Sequence, residues 1–139
     1  MTRHPPPLPD EVTAGIRLVA MASAPFWARR HTQDALGKWQ APGETIETAE
    51  LLVSELVTNA AKLGSPGIID VMLRYLPGHH LVIEVSDSDP HPPAPADPDV
   101  NSEGGRGLML VQALSREWSY YFLPSGGKTV YCVIGTASR

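Results

Sequence analysis

The feature that most constrains this chain is the helical pattern over residues 44–63. Apolar side chains recur there at intervals of three and four, which fits a period of 3.6 and gathers them on one arc of a helix. They are Ala49, Leu52, Val53, Leu56, Val57, Ala60 and Leu63. Steps of about 100° per residue place Asn59 and Lys62 within roughly 40° of Glu55, at the rim of that arc. The pattern predicts a long amphipathic helix with an acid, an amide and a base beside its buried face.

This polar trio has two interpretations. It is either the ordinary surface of a half-exposed helix or the start of a magnesium–nucleotide site. In the second, a carboxylate orients a nucleophile, an amide oxygen supplies a magnesium ligand and an ammonium approaches phosphate. The segment alone leaves both interpretations open.

The rest of the pattern predicts an α/β two-layer sandwich. Strands separated in pairs by helices indicate a mixed, mostly antiparallel sheet covered on one face by about three helices. The predicted strands are residues 16–21, 68–76, 81–86, 118–123 and 129–134, and the other helices are 24–38 and 108–115. A length of 139 residues fits one domain, over 12–139, after a disordered Pro-rich tail at 1–11.

Charge and composition exclude several function classes. A net charge of −4 gives no general attraction to nucleic acid, and no apolar run is long enough to cross a membrane. Cys132 is the only cysteine, which excludes an internal disulfide and a thiolate metal cluster. We therefore expect a cytoplasmic protein with no direct nucleic-acid or membrane partner.

A proline-rich loop at residues 88–103 interrupts the pattern, and its flanks carry candidate chemistry. Upstream, Asp87 ends a strand, where its carboxylate can accept a hydrogen bond from an amino group. Downstream, Gly104-Gly105-Arg106-Gly107 forms a predicted turn before a helix, and such a turn lets phosphate approach backbone N–H groups. Taken alone, the glycine turn is weak evidence, because helix starts also use glycine for steric reasons.

Together and in this order, these segments resemble the GHKL (Bergerat-fold) ATPases, the superfamily of gyrase, histidine kinase and heat-shock chaperone nucleotide domains. Residues 55–62 match the N box, Asp87 the first glycine box, and residues 104–108 the second. Gly127-Lys128-Thr129 looks like the closing strand segment. Within the superfamily, the short length and residues 51–60 most resemble the RsbW and SpoIIAB-like anti-sigma factor serine kinases.

The resemblance implies an ATP-binding, Mg²⁺-dependent homodimer that sequesters a sigma factor and phosphorylates a serine of a STAS-type anti-anti-sigma partner. It gives Glu55 the role of activating the acceptor hydroxyl, and Asn59 that of the Mg²⁺ ligand. Asp87 would accept from the adenine amino group, and residues 88–103 would be a lid. The remaining implied contacts are Lys62 near phosphate, Gly104, Gly105, Arg106, Gly107 and Leu108 around the phosphates, and Thr129 in the adenine pocket.

One departure from the superfamily pattern keeps an alternative function open. Asp89 occupies the place of the glycine in Asp-x-Gly, so the predicted adenine floor carries a side chain and a second negative charge. The alternative is a nucleotide-binding or partner-sequestering module without kinase activity. A sensor histidine kinase is disfavoured, because the chain has no separate dimerisation helix pair with a phosphoacceptor histidine.

Overall fold

A computed structural model describes residues 10–62, 67–93 and 103–136, without the side chains of Lys62 and residues 103–107. The predicted order of strands and helices is confirmed. The elements are β1 (Val12–Val19), α1 (Ala24–Lys38), α2 (Gly43–Lys62), β2 (Ile68–Leu76), β3 (His80–Asp87), α3 (Glu103–Leu114), β4 (Glu117–Phe122) and β5 (Lys128–Gly135). Residues 1–9 of the predicted tail and 94–102 of the predicted lid lie outside the described residues.

The strands form one five-stranded sheet in the order β1-β2-β3-β5-β4. The predicted two-layer sandwich is confirmed. Each of the four strand pairings is antiparallel, so the five described strands form an antiparallel sheet and not a mixed one. β5 follows β4 in the sequence but lies between β3 and β4. This arrangement brings the start of β5 beside the end of β3, where the candidate site lies.

The helices cover one face of the sheet, and α2 supplies the centre of the core. Leu52, Val53 and Val57 of α2 are fully buried, as the apolar arc predicts, and they join the inward side chains of β2, β3 and β5 in one cluster. Burial of each such side chain contributes about 1.5–3 kcal/mol. Arg29 of α1 donates to the Ser54 hydroxyl of α2 over 2.9 Å, which ties the two helices together. Within the described residues, no helix is both long and apolar enough to span a membrane.

On the opposite face of the sheet, here called the outer face, the folded domain includes a residue that the sequence assigns to the tail. Arg74 donates to Glu11 over 3.2 Å and to Glu84 over 3.0 Å, and the Glu11 side chain is only 1% exposed. Glu11 therefore belongs to the folded domain and not to the tail. β1 also starts four residues before the predicted strand, because pairing with β2 along its full length stabilises a segment with few bulky apolar residues.

The Cys132 thiol is expected to be unreactive in the folded protein. Its residue is fully buried in β5, and this burial raises the pKa of the thiol to about 12, so almost no thiolate forms near neutral pH. We expect Ellman's reagent at pH 8 to label the native protein far more slowly than the urea-unfolded protein, which should release one equivalent. Equal labelling rates in the two states would contradict the buried position of Cys132.

Candidate functional site

Three charged side chains meet where β3 ends and β5 begins. The strand pairing sets Asp87 directly opposite Lys128. Lys128 Nζ lies 3.1 Å from Asp87 Oδ1 and 3.1 Å from Asp89 Oδ2. The side chains of Lys128, Asp87 and Asp89 are only 2%, 7% and 8% exposed. One buried ammonium thus links two buried carboxylates, and we call these three residues the Lys128 cluster.

Asp89 closes the turn after β3 and is itself held by hydrogen bonds. Its backbone N–H donates to Asp87 Oδ1 over 2.8 Å, and its own Oδ1 lies 2.8 Å from Nδ1 of His91. The hydrogen bond with His91 lowers the pKa of the Asp89 carboxyl below its usual range; burial opposes this shift, and Lys128 adds to it. The second negative charge expected at the adenine floor is therefore paired with Lys128.

The carboxylate of Asp87 is held by one of its two oxygens. Oδ1 accepts from both the Asp89 N–H and Lys128 Nζ. Among the described residues, none makes a hydrogen bond with Oδ2. An ionised carboxylate accepts at both oxygens, so Oδ2 is available to a donor on a ligand.

Gly127 allows β5 to approach the end of β3. A Cβ atom at this position would overlap the carbonyl oxygen of Asp87 and lie 2.9 Å from the Cα atom of Ser88. The preceding turn is closed by the Leu123 N–H to the Gly127 carbonyl over 2.8 Å, and Gly126 adopts a left-handed φ of 105°. This turn delivers Lys128 to the two carboxylates, so a glycine at 127 is a steric requirement of the site.

The hydroxyl of Thr129 lies on the other face of the sheet from the Lys128 cluster. Side chains alternate along a strand, so Thr129 shares the outer face with its cross-strand neighbour Ser86. Their hydroxyl oxygens are 2.7 Å apart, and Thr129 is 3% exposed. The backbone of Thr129 lies close to that of Asp87 in the sheet, but the Thr129 side chain is on the opposite face from the Asp87 side chain. The place of Thr129 in the adenine pocket stays a prediction from the resemblance.

Glu55 and Asn59 lie on α2 as predicted, both at positions of intermediate burial beside the core arc. α2 packs against both β3 and α3, the elements that carry Asp87 and the glycine segment. Lys62 is the last residue of α2, and its side chain is outside the described atoms. The roles of Glu55, Asn59 and Lys62 remain predictions from the resemblance.

The glycine segment is helical, which corrects the predicted turn at residues 104–107. α3 begins at Glu103 rather than at Leu108, so Gly104, Gly105 and Arg106 form its first turn. The first four N–H groups of a helix have no partner inside the helix, and they carry a partial positive charge. Leu108 is 4% exposed, so its side chain belongs to the interior. Any phosphate contact in this segment would come from the backbone.

A shallow cavity of about 500 Å³ lies on the outer face of the sheet. Its lining comes from β1, β2 and β3 and includes Arg17, Asp70, Met72, Glu84 and Ser86. Among the side chains that the structure describes, none of the predicted site residues lines it. The cavity and the Lys128 cluster are therefore separate features on opposite faces.

A comparison with protein families agrees with the fold. The model of the histidine kinase-like ATPase domain matches residues 20–134. The chain belongs to this family. The matched segment contains every predicted site residue from Glu55 to Thr129 and all the helices and strands except β1 and the last residue of β5. ATP binding follows at the level of the family.

One solved structure similar to this domain contains the RsbU and RsbW domains of Rv1364c from Mycobacterium tuberculosis. The TM-score is 0.65 and the sequence identity 20%. The likeness covers 92% of this chain and 34% of that chain, so this chain spans about a third of the length of that protein. At this identity, the likeness shows the shared fold alone. A comparison with curated protein sequences gave no match.

The residues present fit the groups that ATP and Mg²⁺ would offer to the histidine kinase-like ATPase domain. Asp87 Oδ2 fits an exocyclic amino group, because it is an acceptor held at a buried position. The amide oxygen of Asn59 fits Mg²⁺, a hard cation that takes one or two protein oxygens and completes its shell with water and phosphate. The N-terminal N–H groups of α3 fit phosphate oxygens.

Proposed function

We propose that this domain binds ATP with Mg²⁺ and acts as an RsbW-like anti-sigma factor and protein serine kinase. The observation that carries the proposal is the buried carboxylate of Asp87, which ends β3 with one oxygen held and the other available. The finer parts of the proposal are a sigma factor, a STAS-type anti-anti-sigma protein as the phosphate acceptor, a homodimer and a cytoplasmic location. They are supported by the resemblance of residues 51–60 and by family membership.

Each residue has a distinct role in the proposed reaction. Bound ATP supplies the phosphoryl group. Asp87 Oδ2 accepts a hydrogen bond from the adenine amino group and orients the base, and Asn59 contributes its amide oxygen to Mg²⁺. The N–H groups of Gly104 and Gly105 donate to phosphate oxygens. Glu55 would accept the proton of the partner's serine hydroxyl as that oxygen attacks the γ-phosphorus, the bond from this phosphorus to the bridging oxygen of the β-phosphate breaks, and ADP leaves.

Calorimetry with purified protein tests the nucleotide-binding part. We expect ATP to bind with 1:1 stoichiometry, and more tightly with Mg²⁺ than with EDTA, because the metal connects Asn59 to the phosphates. An Asp87→Asn variant should bind ATP at least about tenfold more weakly, since an amide donor would then face the amino group. The absence of any heat of ATP binding to the wild type would contradict the proposed function.

A Glu55→Gln substitution is expected to separate binding from catalysis. Glutamine keeps the shape of the side chain but cannot accept a proton, so phosphate transfer to the serine partner should fall by about 10²–10⁴-fold while the Kd for ATP changes little. Single-turnover transfer from radiolabelled ATP to candidate STAS-type proteins measures the effect. Glu47→Gln, at an exposed position of the same helix, is the matched control and should transfer phosphate normally. Undiminished transfer by Glu55→Gln would remove Glu55 from the reaction.

The Lys128 cluster favours a second candidate function, a nucleotide-binding or partner-sequestering module without kinase activity. Asp89 stands where a glycine is expected, and its ion pair with Lys128 fills that part of the site with side chains. In this case ATP would bind, but no partner would be phosphorylated. Inhibition of a sigma factor by the wild type, with no transfer of phosphate to any STAS-type protein tested, would favour this second function.

A further inference from the structure

The Lys128 cluster contains more charge than recognition of one amino group requires. Asp87 is the only member whose carboxylate keeps an oxygen without a described hydrogen bond, whereas Asp89 uses both of its oxygens, one for His91 and one for Lys128. The three formal charges sum to −1 only while Lys128 is present and protonated. The Lys128 ammonium therefore determines the net charge that the cluster presents to a ligand at Asp87.

We propose that Lys128, balanced by Asp89, is a positioning residue that holds Oδ1 of Asp87, leaves Oδ2 as the acceptor for a ligand, and thereby makes the site select a 6-amino purine over a 6-oxo purine. This inference rests on the proposed binding of ATP. The ammonium holds Oδ1 at 3.1 Å, and the Asp89 N–H holds the same oxygen at 2.8 Å, so Oδ2 is presented in one orientation. An ionised carboxylate accepts from an amino group, but it repels the carbonyl oxygen of a 6-oxo purine.

Removal of the cation would weaken this selection. Two buried carboxylates that have lost their shared cation cannot both remain ionised at low cost, so the pKa of one rises and a proton is shared between them. A protonated Asp87 can donate a hydrogen bond to a 6-oxo group. The ability to discriminate between the two bases should therefore depend on Lys128 even though Lys128 does not contact the base.

Binding of ATP and of inosine triphosphate, measured by calorimetry, tests the proposal, because the two bases differ only in the 6-substituent, amino against carbonyl, and in the hydrogen that N1 of the 6-oxo base carries. We expect the wild type to prefer ATP by roughly 10- to 100-fold. Lys128→Met should reduce this preference to less than about threefold. Lys128→Met combined with Asp89→Asn should recover most of the preference, because the cluster again carries a charge of −1. Lys38→Met, at an exposed position of α1, is the control and should match the wild type.

A purely structural role for Lys128 predicts another result: weaker binding of both nucleotides with an unchanged ratio of their affinities. That result would overturn the inference, as would a double variant that regains stability but not selectivity. If the wild type binds ATP and inosine triphosphate equally well, this inference fails while the proposed function stands. If the wild type binds neither nucleotide, the proposed function fails as well.

Nuclear magnetic resonance of the wild type provides a test that does not require a folded variant. ATP should shift the carboxyl ¹³C resonance of Asp87 and the ¹⁵Nζ resonance of Lys128, since the two groups share a hydrogen bond. Inosine triphosphate at the same fractional occupancy should produce a clearly different ¹³C shift. If both nucleotides leave the two resonances unchanged, Lys128 has no positioning role.

Discussion

Replacement of Lys128 by methionine is expected to lower the free energy of unfolding by about 3–5 kcal/mol. Methionine fills a similar volume but leaves the carboxylates of Asp87 and Asp89 without their cation at a site where both are more than nine-tenths buried. Removing one partner of a buried ion pair is costly, because the remaining charge has lost its hydration and its counter-ion. Urea denaturation at pH 7 measures the loss.

The double variant Lys128→Met with Asp89→Asn separates charge from packing. It should lose much less stability than the single variant, and the two substitutions should be strongly non-additive, because their sites are in direct contact. Lys38→Met should change the stability by less than about 0.5 kcal/mol, since the side chain is exposed. If Lys128→Met and Lys38→Met lower the free energy of unfolding by the same amount, the buried ion pairs do not stabilise the fold.

Gly127→Ala is expected to destabilise the protein by about 3 kcal/mol or more, although it adds a single methyl group. The new Cβ atom would overlap the carbonyl oxygen of Asp87, which is backbone and cannot rotate away as a side chain can. β5 would have to move away from β3, and Lys128 would move with it. Nucleotide affinity should therefore fall together with stability.

Gly37→Ala is the matched control, since a Cβ atom at this position of α1 has nothing within 4 Å. Alanine has the higher helix propensity, so this variant should be as stable as the wild type or more stable by up to about 1 kcal/mol. Thermal unfolding followed by circular dichroism compares the two substitutions directly. Equal melting temperatures for the two variants would show that β3 and β5 tolerate a side chain at Gly127.

The sequence predicted those parts of the fold that are encoded locally. The apolar arc of α2 is visible in a short window, because a helical period acts between near neighbours. The same holds for the turns that join β2 to β3 and β4 to β5, which contain Gly78 and the pair Gly126-Gly127. Glu55 and Asn59 could be placed on the rim of α2 for the same reason. The predicted start of α3 is wrong, because the glycines suggest a turn, whereas in the structure they belong to the helix.

The Lys128 cluster could not be predicted, because it depends on which strands are neighbours. The sequence suggests a hairpin of β4 with β5, but nothing local indicates that β5 also pairs with β3. Without that pairing, Asp89 stands as an unexplained extra charge and Lys128 as an ordinary residue beside a glycine. The one available signal was a lysine at the head of an otherwise apolar strand, together with two acids at the end of another.

The placement of β5 between β3 and β4 also has a consequence for how the protein folds. A chain that has formed only β1, β2 and β3 leaves one edge of β3 open, with Asp87 at the end of that strand. The edge stays open until β5 pairs with it, and Lys128 of β5 lies 41 residues after Asp87 in the sequence. Such non-local pairing is slow, because a loop must close before the contact stabilises anything. The Lys128 cluster is thus assembled by the step that completes the sheet, so partly folded molecules should neither bind nucleotide nor protect from hydrogen exchange those backbone amides of β3 that face β5.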